Sequence, residues 1–429
     1  MPTIKKNKIS SPFSKTNQHD NKYKTILSAA SELFNIYGTR GTTLTQIADK
    51  LKLTKTSLYY YVKTKEELVH QCYLNTCIEM QSMVETALES DGLAIDKLEK
   101  LFRSNFDCWN DIIDGNRGHL AGLTEIASLS TTHQQEISEY YRRFVIQVIS
   151  LIQQGESDGS FQTVSAVKTS NAIWGTIFWL PIWLNAVKKE SRDDAFTQLM
   201  LVIKHGLNSR NTVFEFEQGL LEQEQSAPEG FNRKEQNRKK QEAFFRMGSA
   251  FFNQKGFKGT SLDELASSLG VTKGAFYYHI KNKDDLLIKC FERRINIENT
   301  VLEKVSSVPT SGFQKLAFAT QKLFNIQIGE QGPLIRYSTM WSLGYEKRKE
   351  MELEFSQIRD LFGDLIKQGI DDKSIKSVDL IVAENIIAGA IESIPDMASA
   401  MDKDDIKDSS NEFFHIFFNG IATRLGDQV

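Results

Sequence analysis

Sliding the sequence on itself by 218 residues places Phe34–Leu68 on Phe252–Leu286 without a gap, identical at 15 of 35 positions. A second diagonal, offset by 214, aligns Ile152–Pro181 with Ile366–Pro395 and shares Gly155/Gly369, Asp158/Asp372, Asn171/Asn385, Gly175/Gly389 and Pro181/Pro395. The same offset joins RGHL at Arg117–Leu120 to QGPL at Gln331–Leu334. Two diagonals spread this widely mean that a whole unit is duplicated and not a single motif. Whatever one copy folds into, the chain holds it twice. Between the copies, EQEQSAPEGFNRKEQ (Glu222–Gln236) breaks helical periodicity with polar residues, Pro228 and Gly230, which places the boundary near residue 226.

Each copy is patterned as helix throughout, with no strand alternation bounded by turn signals, so the expected fold class is all-α. Ile26, Ala29, Ala30, Leu33 and Phe34 mark one face of a first helix, which breaks at Gly38 and Gly41. Thr43-Leu-Thr-Gln46 has the form of a capping box for a short second helix with Leu44, Ile47, Ala48 and Leu51 inward, and Ser261-Leu-Asp-Glu264 repeats it with Leu262, Leu265, Ala266 and Leu269. Thr54 and Thr272 are placed to cap a third helix, and Thr64 and Asn282 a fourth. Two short helices joined by a tight turn make a helix-turn-helix. The expected organisation is a basic arm (1–20), a helix-turn-helix domain (21–76), a helical effector and dimerisation domain (77–210), a linker (211–236), and the second pair of domains at 237–294 and 295–426.

The net charge of −3 conceals an uneven distribution. Residues 1–75 carry 12 Lys and Arg against 5 Asp and Glu, and residues 231–294 carry 14 against 7, so each basic module is +7 and the rest of the chain −17. Basic modules on an acidic body suit a nucleic-acid partner. The stretch TKTSLYYYVKTKEEL (Thr54–Leu68) and its copy TKGAFYYHIKNKDDL (Thr272–Leu286) show how. With Leu58 inward and 100° per residue, Val62 also lies toward the core, Tyr61 and Tyr59 lie to the sides, and Tyr60 and Thr56 point away, flanked by Ser57 and Lys55. Hydroxyls and ring edges on such a face can meet bases in a groove while lysines offset phosphate charge. Lys65 and Lys283 open the following helix, where free N–H groups favour an anion, and are expected to anchor phosphate.

GTRGTTLTQIADKLKLTKTSLYYYVKTKEEL and GFKGTSLDELASSLGVTKGAFYYHIKNKDDL resemble the DNA-binding domain of TetR-family transcriptional regulators. The matching pattern is a glycine bend, a Thr/Ser-led helix, a Val-Thr-Lys-Gly-type turn and a Tyr-x-x-Phe-x-x-Lys-x-x-Leu-type tail. Residues 78–206 and 294–425 resemble the family's C-terminal domain more weakly, through the GESDGSF turn and the helix ending in Leu-Pro or Ile-Pro. Two departures stand out: Lys52 replaces the turn glycine seen at Gly270, and Thr56 the helix-start glycine seen at Gly274. The resemblance implies a DNA-contacting set of Thr43, Thr45, Lys55, Thr56, Ser57, Tyr59, Tyr60, Tyr61 and Lys65 in the first module, and Ser261, Lys273, Gly274, Ala275, Tyr277, Tyr278, His279 and Lys283 in the second. It also implies a double-stranded DNA operator, a small apolar or amphipathic effector, and pairing of C-terminal domains, here within one chain as a covalent pseudo-dimer. A homodimer of tandem chains is the other arrangement. A ligand-responsive repressor is the leading reading, and an activator or architectural DNA-binding protein without an effector is the alternative.

On the effector side, Phe102, Asn105, Phe106, Trp109, Glu125, Asn171, Trp174 and Phe178 are the candidate ligand-contacting residues of the first copy, though an ordinary helical core uses the same residue types. The second copy is less aromatic at matching positions, so the two pockets are not equivalent. His133 and Glu136 read as a solvated helix face and Cys72 and Cys290 as small buried side chains. No metal set, catalytic motif or phosphate loop is present, and neither a cofactor nor enzymatic turnover is expected. Four cysteines without C-x-x-C spacing or a leader, and an apolar run at Ile173–Leu184 too short to span a bilayer, point to the cytoplasm.

Overall fold

Short polar side chains start most of the helices, and three of these caps, Thr43/Ser261, Thr54/Thr272 and Thr64/Asn282, recur at matched positions in the two copies. In a computed structural model, which describes residues 17–163, 165–210, 214, 233–400 and 409–423, the first copy forms α1 (Asn17–Gly41), α2 (Leu44–Lys50), α3 (Lys55–Tyr61), α4 (Lys65–Leu88), α5 (Ala94–Ile113), α6 (Thr131–Asp158), α7 (Ala166–Trp183) and α8 (Arg192–His205). The second forms α9 (Arg233–Gly259), α10 (Leu262–Ser268), α11 (Lys273–Tyr277), α12 (Lys283–Ser306), α13 (Gly312–Ile328), α14 (Tyr345–Asp371), α15 (Leu380–Ala400) and α16 (Ser410–Asn419). Among the described residues there is no strand, only the isolated bridges Phe161–Ala422 and Asn208–Ile375, so the chain is all-α. Most of the proposed arm (1–20) and linker (211–236) lies outside the described residues, although α1 begins at Asn17 and α9 at Arg233. The proposed boundaries at 76 and 294 fall inside α4 and α12, so each of these helices is shared between a DNA-binding and an effector domain.

Within each copy the repeated residues hold repeated joints. Asp158 accepts the Ala94 and Ser160 amides at 2.9 Å each, and Asp372 accepts those of Gly312 and Ser374 at 2.8 and 2.9 Å. Burial opposes ionisation of both carboxyls, but these amide bonds, with the Lys97 and Lys315 charges nearby, outweigh it and hold both pKa values below the usual aspartate range. Asn35 and Asn253 bind the first helix of each copy to its own loop. Their amides donate to Leu120 O and Leu334 O at 2.8 Å each, and their carbonyls accept from Gly122 and Arg336 at 2.8 and 3.0 Å.

The copies meet at their later helices. α7 crosses α15 where Gly175 faces Gly389, so closely that a Cβ added to Gly175 would lie 2.8 Å from the Gly389 carbonyl oxygen, and one on Gly389 3.0 Å from that of Gly175. Only glycine lets two backbones approach this far. Trp179 of α7 covers Gly389 and donates its indole N–H to Asn385 Oδ1 at 3.2 Å. Beyond the crossing, Leu207 N–H donates to Phe417 O at 2.9 Å, and its counterpart Ile421 N–H donates to Ile203 O at 3.0 Å, a reciprocal exchange about a local pseudo-twofold.

The apolar core departs from that symmetry. One continuous cluster joins both effector domains and runs through Ile295, Phe291, Cys290 and Phe276 into the second DNA-binding module. The first module has a separate core built on Ile26, Phe34, Ile47, Leu58, Leu68 and Tyr73. Phe178 is half-buried and packs against both clusters.

Candidate nucleic-acid interface

Thr43 and Gln46 form a reciprocal capping box at α2, with the Gln46 amide donating to the Thr43 hydroxyl at 3.2 Å and the Thr43 amide to Gln46 Oε1 at 2.7 Å. Ser261 receives the Glu264 amide at 3.3 Å, and Thr54 and Thr272 receive those of Ser57 and Ala275 at 3.1 and 3.3 Å. The turn between α2 and α3 requires a left-handed residue. Gly270 takes φ 65° without penalty, whereas Lys52 is held at φ 53°, which costs about 1 kcal/mol. These caps and turns set α3 and α11 with Leu58 and Phe276 as buried keels, 1% and 0% exposed.

Opposite the keels stand the tyrosines. Tyr60 is 74% exposed and Tyr278 84%, values that no packing role accounts for, with Tyr59 and Tyr277 about half exposed beside them. Lys55, Thr56, Ser57, Lys273, Gly274 and Ala275 are exposed on the same surfaces, and Thr45 is half-buried on α2. A Cβ on Gly274 would meet nothing within 4 Å, so the protein interior imposes no need for glycine there. Tyr61 is half-buried under His19, ring centroids 4.9 Å apart, and His279 lies against Phe244 and within 3.4 Å of Gln241 Nε2. The two faces also differ in charge. Asp263 of α10 binds Lys273 Nζ at 2.6 Å and raises its pKa, while the matching residue beside Lys55 is Thr45.

Lys283 corrects the expectation of an outward phosphate anchor. The Lys283 ammonium turns inward, donating to the Phe257 and Lys258 carbonyls at 2.9 and 3.5 Å and sitting 5.1 Å from the Phe257 ring centroid. Burial, reinforced by the Arg40 charge, lowers its pKa, with Asp284 opposing. Burial also lowers that of Lys65, with Glu125 opposing and Lys258 adding to it. Carbonyls left unpaired where α9 breaks at Gly256 (φ 64°) draw Lys283 in, and carboxylates in the first turns of α4 and α12 (Glu66, Glu67, Asp284, Asp285) disfavour an external anion.

Both lysines lie along a seam that clasps the two modules. Arg40 forks onto Asp284 at 2.6 and 3.3 Å and lies 4.3 Å from the Phe257 ring centroid. Each first helix packs its bend against the other copy's 3-10 turn: Gly38 (φ 73°) against Trp341, and Gly256 against Ala127. Trp341 donates its indole N–H to Asn35 O at 2.8 Å, and Arg348 donates to Ile36 O. No local sequence signal marks Trp341, Arg348 or the Arg40–Asp284 pair; Asn35/Asn253 and Gly38/Gly256 are visible as repeat identities.

Glu125 belongs to this seam and not to a ligand pocket. Its carboxylate accepts the Thr39 amide at 2.6 Å and the Ser342 hydroxyl of the other copy at 3.0 Å. Phe102 and Phe106 are fully buried core, and Asn105 spends its amide on Leu101 O at 2.9 Å. Trp109 is half-buried near Cys108 and Ile112. Asn171, Trp174 and Phe178 do come together: Tyr141 donates to Asn171 Oδ1 at 2.8 Å, its ring is edge-on to Trp174 at 4.9 Å, and Phe178 stacks on Trp174 at 5.5 Å. An open polar cleft of about 520 Å³ lies elsewhere, between Pro309–Lys315 and Gln368–Ser374. His133 departs from the solvated face expected of it: half-buried, it stacks on buried His70 at 3.9 Å, with its Nδ1 3.3 Å from Glu66, while Glu136 stays exposed with one carboxylate oxygen 3.0 Å from His70 Nε2. Cys72 and Cys290 are fully buried, and burial pushes both thiols up to about 12. Among the described residues no group of side chains could hold a metal ion, and no helix is long and apolar enough to cross a membrane.

The family model described as bacterial regulatory proteins, tetR family, matches residues 26–72 and again 248–290, and that of the tetracyclin repressor-like C-terminal domain matches 92–206. The chain belongs to the TetR family. Like its TetR-family relatives it is a DNA-binding transcriptional regulator, and it carries the family's DNA-binding domain in duplicate. Among those relatives are the transposon Tn10 TetC protein of Escherichia coli, 25% identical over 178 residues (41% of this chain, 87% of that protein), and the fatty acid metabolism regulator protein of Bacillus subtilis, 22% identical over 174 residues (40% and 90%). A solved structure of AibR in complex with isovaleryl coenzyme A and operator DNA covers 42% of this chain and 96% of its own at 17% identity, with a TM-score of 0.36.

Proposed function

We propose that this TetR-family chain is a ligand-responsive repressor that reads one operator as a covalent pseudo-dimer. The observation that carries the proposal is the pair of outward helix faces, headed by Tyr60 and Tyr278, on modules clasped to each other within one chain. Two clasped readers can enter successive major grooves of one duplex face, as a helix-turn-helix dimer does. Thr56, Tyr59 and Tyr60 supply base-edge contacts in the first reader and Tyr277 and Tyr278 in the second, while Lys55 and Lys273 lie toward phosphate. Because the faces differ at Thr56/Gly274, Ser57/Ala275 and Tyr61/His279, the operator is an imperfect palindrome or no palindrome at all.

The effector domains regulate this reading by altering how the modules are held. The Bacillus relative's name ties it to fatty acid metabolism, and the AibR complex holds an acyl-coenzyme A, so acyl compounds are the first class to screen. Selection of duplex from a random pool, followed by the mass of the complex and a footprint, tests the proposal. One chain on one asymmetric site, released by a small molecule, is expected. Two chains on a strictly symmetric site would replace the pseudo-dimer with a homodimer of tandem chains, and insensitivity to every ligand would favour an architectural or activating role.

A further inference from the structure

We infer that the two effector domains have diverged into one that receives an apolar ligand and one that is sealed, so that the chain takes a single effector and moves only its first DNA-binding module. The inference rests on the ligand-responsive reading above.

The space between the long shared helix and the last two long helices is filled differently in the two copies. In the second, Arg294 of α12 donates Nε to Glu298 at 2.8 Å, Nη1 to Ile335 O at 2.8 Å and Nη2 to Glu392 of α15. Glu392 also accepts the Tyr337 amide at 3.0 Å, and the Arg294 guanidinium lies 5.0 Å from the Phe355 ring centroid. Arg294 and Glu298 are 4% and 3% exposed, so this is a buried ionic plug with partners on every side. A ligand entering there would have to separate desolvated charges, which is strongly unfavourable.

The matching positions of the first copy are Thr76, Met80, Phe178 and Tyr141, with no charge among them. Phe178 stands where Glu392 stands, stacked on Trp174, with the Tyr141–Asn171 hydrogen bond as a polar anchor beside it. Met80, Tyr141 and Phe178 are half-buried, so an acyl chain or flat apolar ring can displace Met80 and Phe178 without breaking an ion pair. Such a ligand also reaches the output directly, because Phe178 is packed against both the effector core and the separate core of the first module. In the second copy the two cores are one, and no equivalent joint exists to be loosened.

The test is titration of the full chain with 11-(dansylamino)undecanoic acid, with stoichiometry read by native mass spectrometry. One probe per chain is expected, with Phe178→Glu weakening it by about tenfold or more, a loss of about 1.4 kcal/mol. Trp174→Leu is the second, milder variant should Phe178→Glu not fold. Glu392→Gln should lower thermal stability but leave probe affinity and stoichiometry unchanged, and Arg294→Thr/Glu298→Met/Glu392→Phe should open a second site. On saturation, hydrogen exchange should change in α1–α4 and not in α9–α12. Two probes per wild-type chain, one probe indifferent to both first-copy variants, exchange changing equally in both modules, or no saturable binding would each overturn the inference. One bound probe that never releases operator would instead sink the ligand-responsive reading and leave the single site standing. Two bound probes that do release operator would do the reverse.

Discussion

A methyl group at Gly38 would collide with the carbonyl oxygen of Trp341 in the other copy, and the φ of 73° would strain any side chain there. Gly38→Ala is therefore expected to cost about 1–3 kcal/mol from the extended positive-φ backbone alone, with the clash adding to it. Gly256→Ala, whose Cβ would lie 2.8 Å from the Ala127 carbonyl carbon, should behave alike. Denaturant midpoints measure both, and a neutral result for either would remove the seam from the list of stabilising contacts. The stacked His70–His133 pair makes a pH-dependent counterpart. Burial, then the His133 charge, lowers the His70 pKa, with Glu136 and Glu66 opposing. The folded state thus favours neutral His70, so the pair's contribution is complete above the ordinary histidine value of about 6.5 and is lost as pH falls through the lower folded value. Melting curves at pH 7, 6 and 5 should show a drop that His70→Phe, which keeps a stacking ring but cannot titrate, reduces. A parallel drop in both proteins would show that the pair does not control acid stability.

At the scale of elements, the sequence carried the local structure well because the signals were local: caps at Thr43, Thr54, Thr64, Ser261, Thr272 and Asn282 all receive the amides their spacing implies. The wheel on α3 put Leu58 and Val62 inward and Tyr60 outward, as their exposures show. The seam and the His70–His133 stack were not legible, because Lys283, Glu125 and His133 take partners 26, 217 and 67 residues away, separations that helical periodicity does not encode. Asp263 shows the functional side of this. It occupies the position of Thr45, and its hold on Lys273 takes a cation from the second DNA face and adds a carboxylate. Asp263→Thr should tighten duplex binding and steepen the dependence of log affinity on log salt by about 0.9, the contribution of one additional phosphate contact. An unchanged slope would mean that Lys273 does not approach phosphate. Lys283→Ala, in contrast, should leave that slope unchanged and lower the stability of the module seam, since its ammonium is bound to the Phe257 carbonyl.

For the whole molecule, the question is whether two readers in one chain act as beads on a tether or as one rigid reader. A flexible linker alone would let the modules find half-sites over a range of separations, with an effective concentration that changes slowly with distance. The clasp opposes that freedom: Arg40 forks onto Asp284, Trp341 and Arg348 hold the backbone at Asn35 and Ile36, and α7 and α15 meet glycine to glycine. The surface ion pair contributes little by itself, about 0.2–1 kcal/mol, but it adds to contacts that are buried. A fixed separation of α3 and α11 follows. Inserting about 5 base pairs between half-sites turns one of them to the opposite side of the duplex, and inserting about 10 restores the side but adds about 34 Å. A rigid reader should lose affinity for both and retain only the binding of a single module, whereas a tethered pair should recover at the longer insertion. Band-shift titrations on the three spacings decide between them. Recovery at the longer spacing would show that the clasp opens on DNA. If recovery appeared only in Arg40→Glu, and Arg40→Glu/Asp284→Arg abolished it again, the ion pair would be identified as the latch.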